Sequence, residues 1–305
     1  MLSLLTGQPD TERLQALTPA DIAERWRTSL GIDVGSAFAA LPVIEYWRCK
    51  TTGLAWYSPP AAAGEGGLYA QLERFDWYYV ADKWEFQAAL SALSQGSRVL
   101  EVGVGSGHFL RAAAARGLGV RGVELNPVAA ARVRALGFEV FETSLSMLAQ
   151  RGLAPFDAIC AFQVLEHVPD PRGLLADMLK LLRPGGQLVL SVPNAAVTRV
   201  IDPQRTNLLD QPPHHISHWD AGVFRALAGL LPLRLIKLGR EPLQAYHVDW
   251  FVSAYTSVLR RQLSDPVSRV LLHPRSQTAV RRLLTTPIRQ LIPGHTLLAV
   301  MRFEP

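Results

Sequence analysis

Lysine is nearly missing from this chain. Four of its 31 basic residues are lysine and the rest are arginine. With abundant alanine and leucine, that bias looks like the coding style of a GC-rich bacterium. Cysteine is scarce too: Cys49 and Cys160 stand far apart and cannot by themselves build a disulfide framework or a metal cluster. A reducing compartment follows as the default. No apolar run approaches the ~20 residues that a membrane span needs. The richest stretch, from Val223 to Ile236, is broken by Arg225 and Arg234. Asp10 and Glu12 arrive too early for a basic, then apolar, leader. A cytoplasmic protein is the expectation. Only 19% of the 305 residues are charged and 49% are hydrophobic, which excludes a disordered chain and fits a packed core.

The net charge of +5 is unevenly placed. Residues 251–290 hold seven arginines (Arg260, Arg261, Arg269, Arg275, Arg281, Arg282, Arg289) against one acid, Asp265. That segment is +6, so the remainder is −1. Basicity confined to one segment does not make a nucleic-acid binder, and none is expected as a partner. The segment reads as a solvated helical face, as a dock for an anionic acceptor or carrier, or as a membrane-surface element.

Tryptophan and tyrosine are absent between residues 85 and 218, while ten of the 14 lie in residues 1–84. The silent middle is therefore one unit with an aromatic-rich addition on each side. It alternates strand and helix patterns: strands at 98–102, 120–124, 138–141, 156–162 and 187–192, with helices between them. Nearly continuous apolar strands separated by helices indicate an α/β fold with a buried parallel sheet. Two more strands are expected at 231–238 and 295–303, with a mostly helical stretch between. The expected divisions are an N-terminal extension or lid (1–84), a core (85–240), a basic helical insertion (241–292) and a last core strand (293–305).

The first of these strands, ending in Glu101 and Val102, runs into Gly103-Val104-Gly105-Ser106-Gly107. Glycines at a strand-to-helix turn let the backbone approach a ligand closely. The third glycine comes one residue early for a dinucleotide loop, and Glu101 would repel a phosphate. A cationic or ammonium-bearing ligand suits that carboxylate better. The next strand ends in Glu124-Leu125-Asn126, with Glu124 17 residues after Gly107. That is close to the spacing at which a carboxylate accepts ribose hydroxyls. A nucleoside without a phosphate chain fits both carboxylates.

These residues resemble the class I S-adenosylmethionine-dependent methyltransferases over about residues 80–240. Four motifs carry the resemblance: Val99 to Gly107, the acidic Glu124, Phe156 through Gln163-Val164-Leu165-Glu166-His167 to Pro171, and Leu182-Arg183-Pro184-Gly185-Gly186. The resemblance implies a Rossmann-like seven-stranded sheet, mostly parallel, with an antiparallel last strand. It also implies S-adenosyl-L-methionine as cofactor, with Glu101 and Gly103 near the methionine and Glu124 on the ribose. Ser144 and Leu145 would flank the adenine, and Gln163 would face the sulfonium. The pair Glu166-His167 resembles one that orients its loop, with action of His167 as a base the alternative. Tyr78 and Tyr79 are candidates for a lid over the cofactor.

Methyl transfer to a hydroxyl needs alignment, exclusion of water and a base. After the fifth strand come His214, His215 and His218 behind Pro212-Pro213. Histidine is the natural base near pH 7, and one of these three is the candidate. Ser217 capping the next helix is the structural alternative. Metal binding by His214 and His218 on a helix would lack a third local ligand, so no metal is expected. Residues 46–54 resemble the zinc-ribbon lead of some small-molecule and sugar methyltransferases, but Thr52 stands where a second cysteine would be. The expectation is a methyltransferase acting on a small organic acceptor, most simply at oxygen. Carboxylate, N, C or S acceptors and a catalytically silent cofactor-binding scaffold are the alternatives.

Overall fold

The structure, a computed structural model, describes residues 1–64, 66–75, 78, 80–262 and 272–305. The expected lid residue Tyr79 lies outside these, as do Asp265, Arg269 and the side chain of Arg261 from the basic segment. Among the described residues the strands are β1 (Thr11–Leu17), β2 (Ile44–Cys49), β3 (Ala55–Ser58), β4 (Arg98–Val102), β5 (Gly119–Val123), β6 (Val140–Phe141), β7 (Phe156–Phe162), β8 (Leu182–Pro193), β9 (Ser217–His218), β10 (Leu233–Pro242) and β11 (Pro293–Phe303).

Seven of them form one sheet in the order β10-β11-β8-β7-β4-β5-β6. Pairing is parallel from β8 through β6, while β11 runs antiparallel to both β8 and β10. This is the Rossmann-like arrangement expected, with the final strand reversed. The cause lies in the strand composition. Along β4, β7 and β8 consecutive apolar residues serve opposite faces. Leu100, Ile159 and Leu188 pack on one side with Met178 and Phe224. Val99, Cys160 and Val189 pack on the other with Phe86 and Phe109. A strand buried on both faces gains from continuous hydrophobicity, where a half-exposed strand would alternate. From β4 the chain steps to β5 on one side, and β7 lies on the other, so a crevice opens at the carboxyl end of β4.

Two strand boundaries differ from the sequence reading by four residues or more. β8 begins at Leu182, which pairs with Phe156 before the register shifts. Pro184-Gly185-Gly186 therefore sits inside the strand as an irregularity, with Gly185 at φ 73°. β10 continues to Pro242, past the expected Leu238.

The N-terminal segment forms a second sheet, β1-β2-β3-β9, all antiparallel. Its last strand comes from residues 217–218, far along the chain, so the extension is tied to the segment that carries the histidines. Trp26, Tyr46 and Tyr57 fill this sheet's own core with Ile22 and Ile44. In the turn after β2 the Cys49 thiol donates to Asp10 Oδ2 at 3.3 Å and its sulfur accepts from the Thr52 amide at 3.3 Å. Hydrogen bonds thus hold the turn at the position where the resemblance would place zinc ligands.

The insertion contributes helices Val248–Gln262 and Pro274–Leu284. They meet over Leu243, Val248, Val252 and Leu284, a small core separate from the main one. Among the described residues no helix is long and apolar enough to cross a membrane.

Candidate active site

A cavity of about 1490 Å³ lies where the sheet's crevice meets both additions. Its wall is drawn from the ends of β4, β5 and β7, from Tyr69 and Tyr78 of the N-terminal segment, and from Tyr246, His247 and Trp250 of the insertion. The two aromatic-rich additions therefore close over one space.

At one end the glycine loop turns sharply. Gly103 has φ 76°, and a Cβ built there would stand 2.8 Å from Val164. Only glycine meets both constraints cheaply. Glu124 Oε2 accepts from the Gly105 amide at 3.1 Å and Oε1 from the Asn126 amide at 2.9 Å. These bonds fix the carboxylate at the rim while leaving it further lone pairs. Gly103, Glu124, Leu125, Asn126, Gln163 and Tyr78 all line the cavity. Gln163 sits in the left-handed region at φ 55°, an uncommon conformation for a residue with a side chain. Its amide nitrogen donates to the Ser191 carbonyl at 3.0 Å, and its Nε2 to the Ser191 hydroxyl at 3.3 Å.

Other expected cofactor residues stand behind this wall. Glu101 is buried beneath the loop with Oε2 unpartnered, and burial, with Glu124 nearby, pushes its carboxyl well up. Gly105 spends its amide on Glu124. Gly107, at φ 73°, packs against Val133 and precedes the helix His108–Ala115. Ser144 and Leu145 do not line the cavity. Ser144 caps its helix by accepting from the Met147 amide at 3.2 Å, and Leu145 is buried in the main core. Leu125, Asn126, Pro127 and Val128 border the cavity instead.

At the other end the histidines gather. The His214 and His215 rings stack at 4.3 Å, and the His167 ring lies 4.7 Å from the first and 4.9 Å from the second. His215 Nδ1 is 3.0 Å from Asp210 Oδ1. His214 uses both ring nitrogens: Nδ1 lies 2.8 Å from the Leu209 carbonyl and Nε2 2.9 Å from the Tyr78 hydroxyl. Burial lowers His214 well below the ordinary histidine range and takes His167 down to about 3, so both are neutral at pH 7. Burial pushes the Glu166 carboxyl up to about 7, and neither of its oxygens has a hydrogen-bond partner.

His218 is not part of this group. It belongs to β9, with Nδ1 2.6 Å from the Tyr46 hydroxyl and Nε2 2.9 Å from the Asp210 carbonyl. One nitrogen is spent on the N-terminal sheet and the other on the Asp210 backbone, which takes His218 out of the candidate bases. The stretch between His214 and His218 is a turn leading into a strand, not a helix. Nor does Ser217 cap the next helix. Its hydroxyl donates to the Leu165 carbonyl at 3.1 Å, while Asp220 caps that helix by accepting from Gly222 at 2.8 Å.

The loop is held from two sides. The Ile216 amide donates to the Glu166 carbonyl at 2.8 Å, and the Tyr57 amide donates to the Ile216 carbonyl at 2.8 Å. His167, which sequence reasoning placed as a loop-orienting residue or a base, has Nδ1 2.7 Å from the His214 carbonyl. Asp210 was not singled out from the sequence, though it precedes His215 by five residues. Tyr69 was also missed: its ring lies 5.3 Å from His167.

A family model described as a methyltransferase domain matches residues 72–231, just over half of the chain. A ubiquinone biosynthesis O-methyltransferase of Dechloromonas aromatica is 37% identical over 105 residues, 32% of this chain and 45% of that protein. One of Pseudomonas fluorescens is 28% identical over 167 residues, 50% of this chain and 72% of that protein. The chain thus spans less than half the length of the first of these relatives. Among solved structures, a SAM dependent methyltransferase from Archaeoglobus fulgidus superposes with a TM-score of 0.48 at 17% identity, over 78% of this chain and all of that one.

Proposed function

The chain belongs to the methyltransferase-domain family, and from that premise we propose that it is an S-adenosylmethionine-dependent methyltransferase that methylates a hydroxyl oxygen of a small organic acceptor, with His215 taking the proton. The observation that carries the reading is the His215–Asp210 hydrogen bond. A carboxylate at Nδ1 fixes the tautomer and leaves Nε2, on a cavity-lining residue, with its lone pair free to accept. The oxygen assignment is supported by the printed names of the relatives, which are O-methyltransferases.

The residues present fit the cofactor. Gly103 admits a ligand where any Cβ would collide with Val164. Glu124 offers a fixed carboxylate to ribose hydroxyls, Leu125 and Val128 give apolar flanks for adenine, Gln163 lines the same cavity, and Tyr78 reaches the histidine end through His214. When bound, S-adenosylmethionine supplies an activated methyl group. The chain's own work is to hold the acceptor oxygen in line, exclude water with Tyr69, Tyr78 and Trp250, and receive the proton at His215 Nε2.

The test is turnover of His215→Ala on phenolic and alcoholic acceptors, with adenosylhomocysteine affinity as the control for folding. A loss of about 10²–10⁴ in kcat with unchanged affinity is expected. Full turnover by the variant would remove the base assignment. Methylation confined to amines, thiols or carboxylates would remove the oxygen assignment.

A further inference from the structure

The chemistry of the cavity makes no use of the arginines in the insertion. Residues 272–292 hold four of them (Arg275, Arg281, Arg282 and Arg289) and no acidic residue. The inner side of this stretch is accounted for. Leu284 is buried in the small core with Val248 and Val252, and Arg281 pairs with Asp249 at 2.8 Å. On the helix Pro274–Leu284 the face turned from that core carries Arg275, Ala279, Arg282 and Leu283, all exposed. Positions three, four and seven apart lie on one face of a helix, so these four form a stripe. Among the described residues neither Arg275 nor Arg282 enters an ion pair.

Large apolar side chains stand in the open on the same stretch. Leu283 is 52% exposed, Ile288 43% and Leu291 83%, the last two on the short helix Pro287–Leu291. Exposed apolar residues scattered singly are ordinary, but these fall together between residues 283 and 291. A partner that answers only the arginines would leave the leucines in water. One that answers only the leucines would leave the guanidinium charges unmet. A bilayer surface of anionic phospholipid answers both, because phosphates accept from guanidinium groups and the acyl boundary takes the apolar side chains. Nucleic acid suits the surface less well, since residues 272–292 contain no tyrosine, tryptophan or phenylalanine to stack on bases. Asp249, exposed on the neighbouring helix, would repel such a bilayer, but its pair with Arg281 offsets the charge.

We propose that residues 272–292 dock the protein peripherally on an anionic phospholipid surface. Arg275 and Arg282 meet the phosphates, and Leu283, Ile288 and Leu291 enter the acyl boundary. The other helix of the insertion, Val248–Gln262, brings Trp250 to the cavity wall, so the docking surface and the cavity share one small unit. This docking does not depend on which atom of the acceptor is methylated.

The test floats the full chain on a density gradient with vesicles of phosphatidylcholine, with and without phosphatidylglycerol. Flotation with only the phosphatidylglycerol-containing vesicles is expected, weakening as salt is raised. Arg275→Glu combined with Arg282→Glu should reduce partitioning at least about tenfold. Leu283→Ser combined with Leu291→Ser should reduce it about tenfold as well. All four side chains are exposed, and unchanged adenosylhomocysteine affinity shows that the variants are folded. No flotation with the anionic vesicles, or variants that float like the parent, would overturn the docking surface. Equal flotation with pure phosphatidylcholine would overturn the role given to the arginines. Loss in the arginine variant alone, with single-stranded DNA held equally by the parent and the serine variant, would replace the lipid with a polyanion.

Discussion

Asp210 and His215, five residues apart, close a hydrogen bond of 3.0 Å between Oδ1 and Nδ1. Burial by itself would raise the Asp210 carboxyl, but the bond from His215 and the proximity of His218 outweigh it and hold the group well below the usual carboxylate range. Asp210 is therefore an anion at any working pH, and it sets the direction in which His215 points its other nitrogen.

Asp210→Asn keeps the size of the side chain and removes the charge. We expect kcat to fall at least about tenfold with little change in adenosylhomocysteine affinity, since the amide no longer selects one tautomer of His215. Steady-state kinetics beside isothermal titration checks this. A variant with unchanged kcat would show that the orientation of His215 does not matter.

Glu124 is held by the amides of Gly105 and Asn126. Glu124→Ala should weaken cofactor binding by roughly 1.5–3 kcal/mol, the worth of hydrogen bonds to a charged group. Titration with adenosylhomocysteine reads it directly. Affinity equal to the parent's would place the ribose elsewhere.

Gly103→Ala would put a methyl 2.8 Å from Val164 at φ 76°. The strain should cost about 1–3 kcal/mol of stability and reduce cofactor affinity. Urea denaturation with and without adenosylhomocysteine measures both. Gly137, also at positive φ but with open space around its Cβ position, supplies a control for backbone strain alone.

Glu241 gives a pH signature. Burial, with Glu85 adding to it, pushes its carboxyl up to about 7. A raised folded-state pKa means that the folded protein binds the proton more tightly than the unfolded chain. That contribution to stability is full below about pH 4.5 and is lost as pH rises through 7. The parent should therefore lose roughly 3 kcal/mol relative to Glu241→Gln between pH 4.5 and 8. Denaturant midpoints of the two proteins across that range decide it. A constant difference would mean that Glu241 titrates as an ordinary carboxylate.

The core was legible because its signals are local and redundant. Residues 98–102 and 156–162 read as strands from their apolar runs, and the structure places strands at those same residues. The glycine turn, Asn126-Pro127 opening a helix, and Pro171 opening another are chemistry of adjacent residues. The place of Ser144 and Leu145 was less legible for the opposite reason. Ser144 and Leu145 follow the right strand, but burial of Leu145 and capping by Ser144 turn both away from the cavity.

His218 shows the same limit more sharply. In sequence it is equivalent to its neighbours, three histidines in five residues. A two-residue pairing with β3 pulls it into the N-terminal sheet, so that Ala55 lies across from it and Tyr46 takes its Nδ1. The sequence by itself determined the sheet, the cofactor class and the loop that carries the histidines, because each follows from short-range pattern. Only the tertiary structure decided which histidines share a site, that Asp210 aligns one of them, and that both aromatic additions wall a single cavity. Those outcomes depend on contacts between segments up to some 180 residues apart, as with Tyr46 and His218, whose positions differ by 172. No local signal encodes such pairings, since they arise from packing the whole chain at once.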